Sequence, residues 1–211
     1  MSLISIVLKG GILVYLILAL SIIGLAVFLE RFFTIKKAAI NSRAFLNRIK
    51  MLVLNNQLPE AIQVCSQTDA PVAHVLNGIL KRRNLSYDEI KDSVETEANL
   101  QIYQLEKYFN VLGTIAAVSP LIGFLGTVTG MIRTFMAIEA HTGQVEPAIL
   151  AGGIWEALIT TAVGLTIGIP ALIAYNYLVT KVEKFAFEIQ QSSLDLLEVI
   201  LNKEDPDEDH Q

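Results

Sequence analysis

Three runs in this chain contain no charged residue: Gly10–Leu29, Tyr108–Ile132 and Ala157–Thr180. Each meets the ~20 consecutive apolar residues that an α-helix needs to cross a hydrocarbon core. Charged residues make up only 18% of the 211 residues, and mean hydropathy is +0.50. A soluble domain carries about a quarter charged residues, and here the deficit is concentrated in the three runs. This excludes a soluble enzyme, a disordered protein and a nucleic-acid binder. The formal net charge of −5 argues further against nucleic acid as a partner. The chain is expected to be an all-α membrane protein of three transmembrane helices. Two of these should extend far into the cytoplasm, beside a cytoplasmic helical insert.

The first run is too long for the apolar core of a cleaved signal peptide, and no small-residue cleavage site follows it. It is read as a retained span. Orientation follows the lysines and arginines near span ends. Arg31, Lys36, Lys37, Arg43, Arg48 and Lys50, then Lys81-Arg82-Arg83, lie between the first two spans, and Lys181 and Lys184 follow the third. The short loop with Glu139, His141 and Glu146 has no lysine or arginine, and Arg133 just before it is expected to snorkel to the outer headgroups. The expected organisation is span one at 1–30 with the N-terminus and its Lys9 outside, and a cytoplasmic insert at 31–107. Span two follows at 108–137, a short periplasmic loop at 138–147, span three at 148–178, and a cytoplasmic extension with an acidic tail at 179–211. In a Gram-negative cell the outward side would be the periplasm and the membrane the inner one.

The insert reads as helical. Phe45, Ile49, Leu52 and Val53 recur at helical spacing. Pro59 and Pro71 fit a first helical turn, where the missing N–H costs nothing. Asp69 is placed to cap the helix at Pro71, and Ser86-Tyr87-Asp88-Glu89 has the spacing of a capping box. Neither proline nor glycine follows until Gly113, and Ile90, Val94, Ala98, Ile102, Leu105, Phe109 and Leu112 keep helical spacing. This predicts one helix of about fifty residues, roughly 75 Å long, from the insert through span two. Pro147 is expected to open span three and Pro170 to kink it. Val182, Phe185, Ile189, Leu196 and Ile200 carry an apolar stripe past the membrane.

Span one is bulky, which suits lipid contact. The other spans carry small residues at helical spacing: Gly113, Ala116, Pro120, Gly123, Thr127, Gly130 and Thr134 in span two, and Ala157, Thr160, Thr161, Gly164, Gly168 and Ala171 in span three. Each set falls within about 100° of arc. Small faces let helices approach closely in lipid; alternatively they form a pore or partner surface of hydroxyls and glycines. Three spans are too few to enclose a path, so a pore needs several copies. Glu156 is the one carboxylate well inside a span. It either faces water in a bundle interior or is a helix-end charge favoured by the dipole. Trp155 suits an interfacial anchor. His74, His141 and His210 are scattered, and Cys65 reads as a buried apolar residue. No metal cluster, nucleophile pair or phosphate loop is evident, so no enzyme is expected.

Ser119-Pro120-Leu121-Ile122-Gly123-Phe124-Leu125-Gly126-Thr127-Val128-Thr129-Gly130-Met131 resembles the span-two signature of the MotA/TolQ/ExbB proton-channel family. Gly152-Gly153-Ile154-Trp155-Glu156-Ala157-Leu158-Ile159-Thr160-Thr161 through Ile169-Pro170-Ala171 and Tyr175-Asn176 resembles its span-three signature. Trp155 departs from the small residue often found there, and Thr129 from the tryptophan of some members. The layout is similar to ExbB and TolQ rather than to the four-span MotA stators. The resemblance implies a homopentamer around a dimer of a single-span partner like ExbD or TolR, which brings a membrane aspartate. It implies work drawn from the proton-motive force, with the proton as coupling ion and no cofactor. A TonB- or TolA-like protein would deliver that work to the envelope. By motif, Thr127 and Thr161 would face the partner's aspartate and Glu156, with Thr160 on the same face, would line the pore. A gliding or other envelope motor, or a passive scaffold, are the alternatives. The residues themselves add one requirement. Hydroxyls relay protons but hold no net charge change at neutral pH, so Glu156 needs a second carboxylate from another chain.

Overall fold

The computed structural model describes residues 11–140 and 147–204. Lys9, the loop residues His141 and Glu146, and the acidic tail with Pro206 and His210 lie outside them. Seven helices are assigned among the described residues, and no strand: α1 (Gly11–Ala38), α2 (Ser42–Leu54), α3 (Leu58–Gln67), α4 (Pro71–Lys81), α5 (Tyr87–Leu105), α6 (Phe109–Ala140) and α7 (Pro147–Glu204). Three stretches are long and apolar enough to cross a membrane, one starting at Gly11, one at Phe109–Ala140 and one within Leu150–Asn202. The chain is an all-α membrane protein. It divides into two compact units, residues 1–30 with 108–178 and residues 31–107 with 179–211.

In the first unit α1 buries Val14, Ile17 and Gly24 on one face and leaves Ile12, Ile22 and Leu25 exposed. Gly24 meets Ile115 of α6: a Cβ there would lie 3.4 Å from the Ile115 side chain. Leu112, Ile115, Ala116 and Ser119 of α6 are buried, as are Ala157 and Thr160 of α7. Exposed Leu121, Phe124, Phe135, Leu158, Ile169 and Ile173 form the outer surface, as expected of helices whose solvent is lipid.

The second unit has a hydrophobic core of its own. Leu46, Ile49 and Val53 of α2, Ala61 and Cys65 of α3, Val75, Leu76 and Ile79 of α4, and Ile90 of α5 pack with Ile189, Leu196 and Ile200 of α7. Polar clips hold α7 to α2: Ser42 Oγ donates to Glu188 Oε2 at 2.6 Å, and Lys50 Nζ lies 3.5 Å from Asp195 Oδ2. Burial keeps the Cys65 thiol protonated, pushing its pKa up to about 12.

Local signals explain most helix starts. Ser86 and Glu89 form a complete capping box; two hydrogen bonds from Ser86 hold the Glu89 carboxyl below the usual carboxylate range. Pro71 is the first residue of α4. Two expectations fail. Asp69 does not cap α4. Ala70 occupies the N-cap without a side-chain hydrogen bond, because Pro71 fixes the helix start one residue too far on for Asp69. Asp69 instead lies 3.5 Å from Lys37 Nζ and 3.8 Å from His74 Nε2. The helix expected to run unbroken from Tyr87 through span two is two helices. Glu106 caps α5, and Tyr108 sits at φ +68°, in the left-handed region. The Tyr108 carbonyl then accepts from Val111 N at 3.1 Å and Leu112 N at 3.4 Å, starting α6. A left-handed non-glycine residue costs roughly 1–2 kcal/mol, and no glycine or proline marks the break. The third long helix, α7, is continuous from Pro147 to Glu204.

Candidate functional site

The small faces of α6 and α7 meet each other within one chain. A Cβ on Gly123 would lie 3.0 Å from Thr160 O and 3.1 Å from Thr161 Cα; one on Gly164 would lie 2.7 Å from Ser119 O and 3.0 Å from Gly123 Cα. At Gly168 it would meet the Pro120 ring at 2.6 Å and the Ala116 carbonyl at 3.2 Å. At Gly130 it would lie 3.0 Å from Ala157 Cβ. Gly126 packs against Thr160, and Gly153 against Thr134. At Gly123 and Gly164 glycine is required because the neighbours are backbone atoms, which no rotamer change can move aside. Lower down, Gly113 lies under the Tyr175 ring, 3.2 Å from Cε2 by the same measure, and that ring meets Phe109 edge-on with centroids 6.4 Å apart. Pro170 lies exposed within unbroken α7.

The threonines differ in what their hydroxyls do. Thr161 Oγ1 crosses the seam and donates to the Gly123 carbonyl at 2.9 Å. Thr160, 1% exposed, donates to the Glu156 carbonyl at 2.9 Å. Thr127 donates to Phe124 O at 2.6 Å, with its hydroxyl at the surface of the unit. A hydroxyl has one proton to donate and two lone pairs. Thr127 and Thr161 therefore already use their protons on backbone carbonyls and keep acceptor capacity.

Glu156 and Arg133 converge at one end of the seam. Arg133 Nη1 donates to Glu156 Oε1 at 3.0 Å, with side-chain exposures of 63% and 31%. Arg133 is thus paired with a carboxylate of the neighbouring span. The start of α1 closes the third side: a Cβ on Gly11, at φ +73°, would lie 2.5 Å from Glu156 Oε1. The pairing had a sequence signal. Arg133 ends the charge-free run of span two and Glu156 precedes that of span three, so opposite charges sit at matching depth. Nothing in the sequence pointed to Gly11.

Residues 67–191, more than half of the chain, match the MotA/TolQ/ExbB proton channel family. The chain belongs to that family. The match includes α6, the Arg133–Glu156 pair and α7 as far as Gln191. An ExbB homolog from Methanothermobacter thermautotrophicus is 28% identical over 176 residues, 83% of this chain and 62% of its own length. An ExbB-like protein from Synechocystis is 32% identical over 82% of this chain and 69% of its own. The Tol-Pal system protein TolQ of Haemophilus influenzae is 40% identical over 54% of this chain and 44% of its own. The chain thus spans less than two thirds of the length of some of these family members. The small-residue seam and the threonines belong to the matched region.

Proposed function

We propose that this chain is the proton-channel subunit of an inner-membrane motor that draws on the proton-motive force to energise an envelope process. TonB-dependent uptake or a Tol–Pal-like task would be served, with a single-span ExbD- or TolR-like partner supplying the second carboxylate and a TonB- or TolA-like protein delivering the work. The N-terminus faces the periplasm and the C-terminus the cytoplasm. The chain is not an enzyme, and the proton is its coupling ion.

The observation that carries the reading is the hydroxyl arrangement. The Thr127 and Thr161 protons rest on backbone carbonyls, which leaves the lone pairs of both hydroxyls as acceptors. A neutral carboxyl of the partner can donate to those lone pairs. A charged one requires the hydroxyl proton, so the threonine must swing off its carbonyl. Binding geometry thereby depends on the protonation state of the partner, which is what coupling needs. Glu156, paired with Arg133, places a carboxylate at the seam's end, where a proton path can use it. Copies of this chain would assemble as a homopentamer around the partner dimer. Exposed Phe187, Leu194 and Leu201, seven residues apart along α7, give each copy an apolar stripe to pack against its neighbour.

Glu156→Gln tests the reading in a cell whose own subunit is deleted. Energised uptake should fall to the deletion level while the protein persists in the membrane. Full activity with equal protein would refute the role of Glu156.

A further inference from the structure

The second unit contains a cavity of about 560 Å³ whose walls are residues that follow span one, residues that precede span two, and the start of α4. We propose that it is a headgroup site for an anionic phospholipid of the adjoining leaflet. Charge is the first argument. Arg31, Lys37 and Lys107 line the cavity with His74 against a single carboxylate, Asp69. Asp69 sits beside Lys37 and His74, and the lining residues carry three formal positive charges, Arg31, Lys37 and Lys107, to one negative.

Preorganisation is the second. Arg31 is 6% exposed, and its Nη1 donates to the Gln104 carbonyl at 3.1 Å, so the guanidinium is fixed before any ligand arrives. A positive guanidinium held in place at the cavity wall favours an anionic group such as phosphate. The wall at Pro71 adds the positive end of α4, whose N-cap Ala70 offers no side-chain acceptor to offset it.

Position is the third, and it selects the lipid over a free anion. Arg31 lies two residues beyond the apolar run that ends at Leu29, and Lys107 immediately precedes the run that begins at Tyr108. The cavity walls therefore come from the chain at the edge of two membrane spans, where phosphodiester groups are concentrated. Basic pockets at span ends bind anionic headgroups. Tyr103, 75% exposed on the cavity rim, offers an amphipathic ring of the type that favours the headgroup level.

The test uses the full chain in detergent micelles doped with dioleoylphosphatidylglycerol or dioleoylphosphatidylcholine, read by native mass spectrometry. Wild type should retain phosphatidylglycerol well above phosphatidylcholine. Lys37→Gln with Lys107→Gln should lower the retained fraction at least tenfold, and Lys37→Arg with Lys107→Arg should keep it. Arg43→Gln with Arg48→Gln removes the same charge outside the cavity and should leave retention unchanged. Protection of Cys65 from alkylation checks that each variant is folded. If the double variant fails that check, Lys107→Gln alone should still lower retention several-fold. Equal retention by cavity and control variants, phosphatidylcholine held as well as phosphatidylglycerol, or displacement of the lipid by equimolar inorganic phosphate would each overturn the proposal.

Discussion

Gly164→Ala should destabilise the membrane unit through one added methyl group. Its Cβ would lie 2.7 Å from Ser119 O and 3.0 Å from Gly123 Cα, against the 3.4 Å at which ordinary contact begins. Both neighbours are backbone, so α6 and α7 must part by roughly 0.7 Å. A gap of 0.5–1 Å forfeits about a quarter to a half of each dispersion contact, and the separation is felt at Gly123, Gly130 and Gly168 together. The Thr161–Gly123 hydrogen bond stretches as well, at about 0.6 kcal/mol for an interhelical bond in a membrane. Overpacking of this kind costs about 1–3 kcal/mol. Alanine returns up to about 1 kcal/mol of helix propensity, so a matched control is needed. Gly152→Ala provides it: Gly152 is helical on α7, and a Cβ there meets nothing within 4 Å. Propensity cancels between the two variants, leaving a difference of about 1–3 kcal/mol. Trp155, the only tryptophan, lies in the membrane unit and reports its unfolding by fluorescence in a denaturing-detergent titration. Equal midpoints for the two variants would refute the close-packed seam.

Further outcomes follow from the same structure. A double-mutant cycle on Arg133→Gln and Glu156→Gln, read by Trp155 fluorescence, should give a coupling of only about 0.2–1 kcal/mol, because the pair is partly exposed; additive costs would mean that the two do not interact. With its pKa pushed up to about 12, Cys65 should resist iodoacetamide at pH 8 in the folded protein and react once unfolded, and rapid labelling of the native state would contradict its burial. Ser86→Ala should cost about 1 kcal/mol in the second unit, seen as earlier Cys65 labelling in urea. Glu89 has a lowered folded pKa, so its contribution is present above the unfolded carboxylate value and fades as pH falls through the folded one. The gap between wild type and Ser86→Ala should therefore narrow in acid, and a gap that widens would contradict the capping box.

What the sequence revealed depended on whether the cause was local. The Ser86–Glu89 box and the proline start of α4 need only neighbouring residues, and both are visible in the sequence. The apolar stripe on α7 is periodic, and Ile189, Leu196 and Ile200 are buried where the stripe places them. Periodicity also showed that the small residues of α6 and α7 share faces. It did not show that these faces would cover each other in one chain, because spacing fixes a side of a helix and not its neighbour. The α5–α6 break has no signal in the sequence, because Tyr108 adopts a left-handed backbone with no glycine to mark it. Asp69 had the chemistry of a cap, but lies one residue too early, since Pro71 fixes the start of α4. The neighbours of Arg133 in sequence give no sign of its partner, Glu156, 23 residues along the chain.

The central claim is that the Thr127 and Thr161 hydroxyls serve proton coupling and are more than packing. Valine keeps the shape of threonine and removes only the hydroxyl, so Thr127→Val with Thr161→Val tests the polar atoms directly. Each lost hydrogen bond is worth about 0.6 kcal/mol, too little to dissolve the assembly. A charged carboxylate left without a donor in a dry site is far more costly. The measurement is energised uptake, or the equivalent motor output, alongside copurification of the single-span partner. The account predicts that output is lost while the partner still copurifies in wild-type proportion. Output retained at the wild-type level would contradict it.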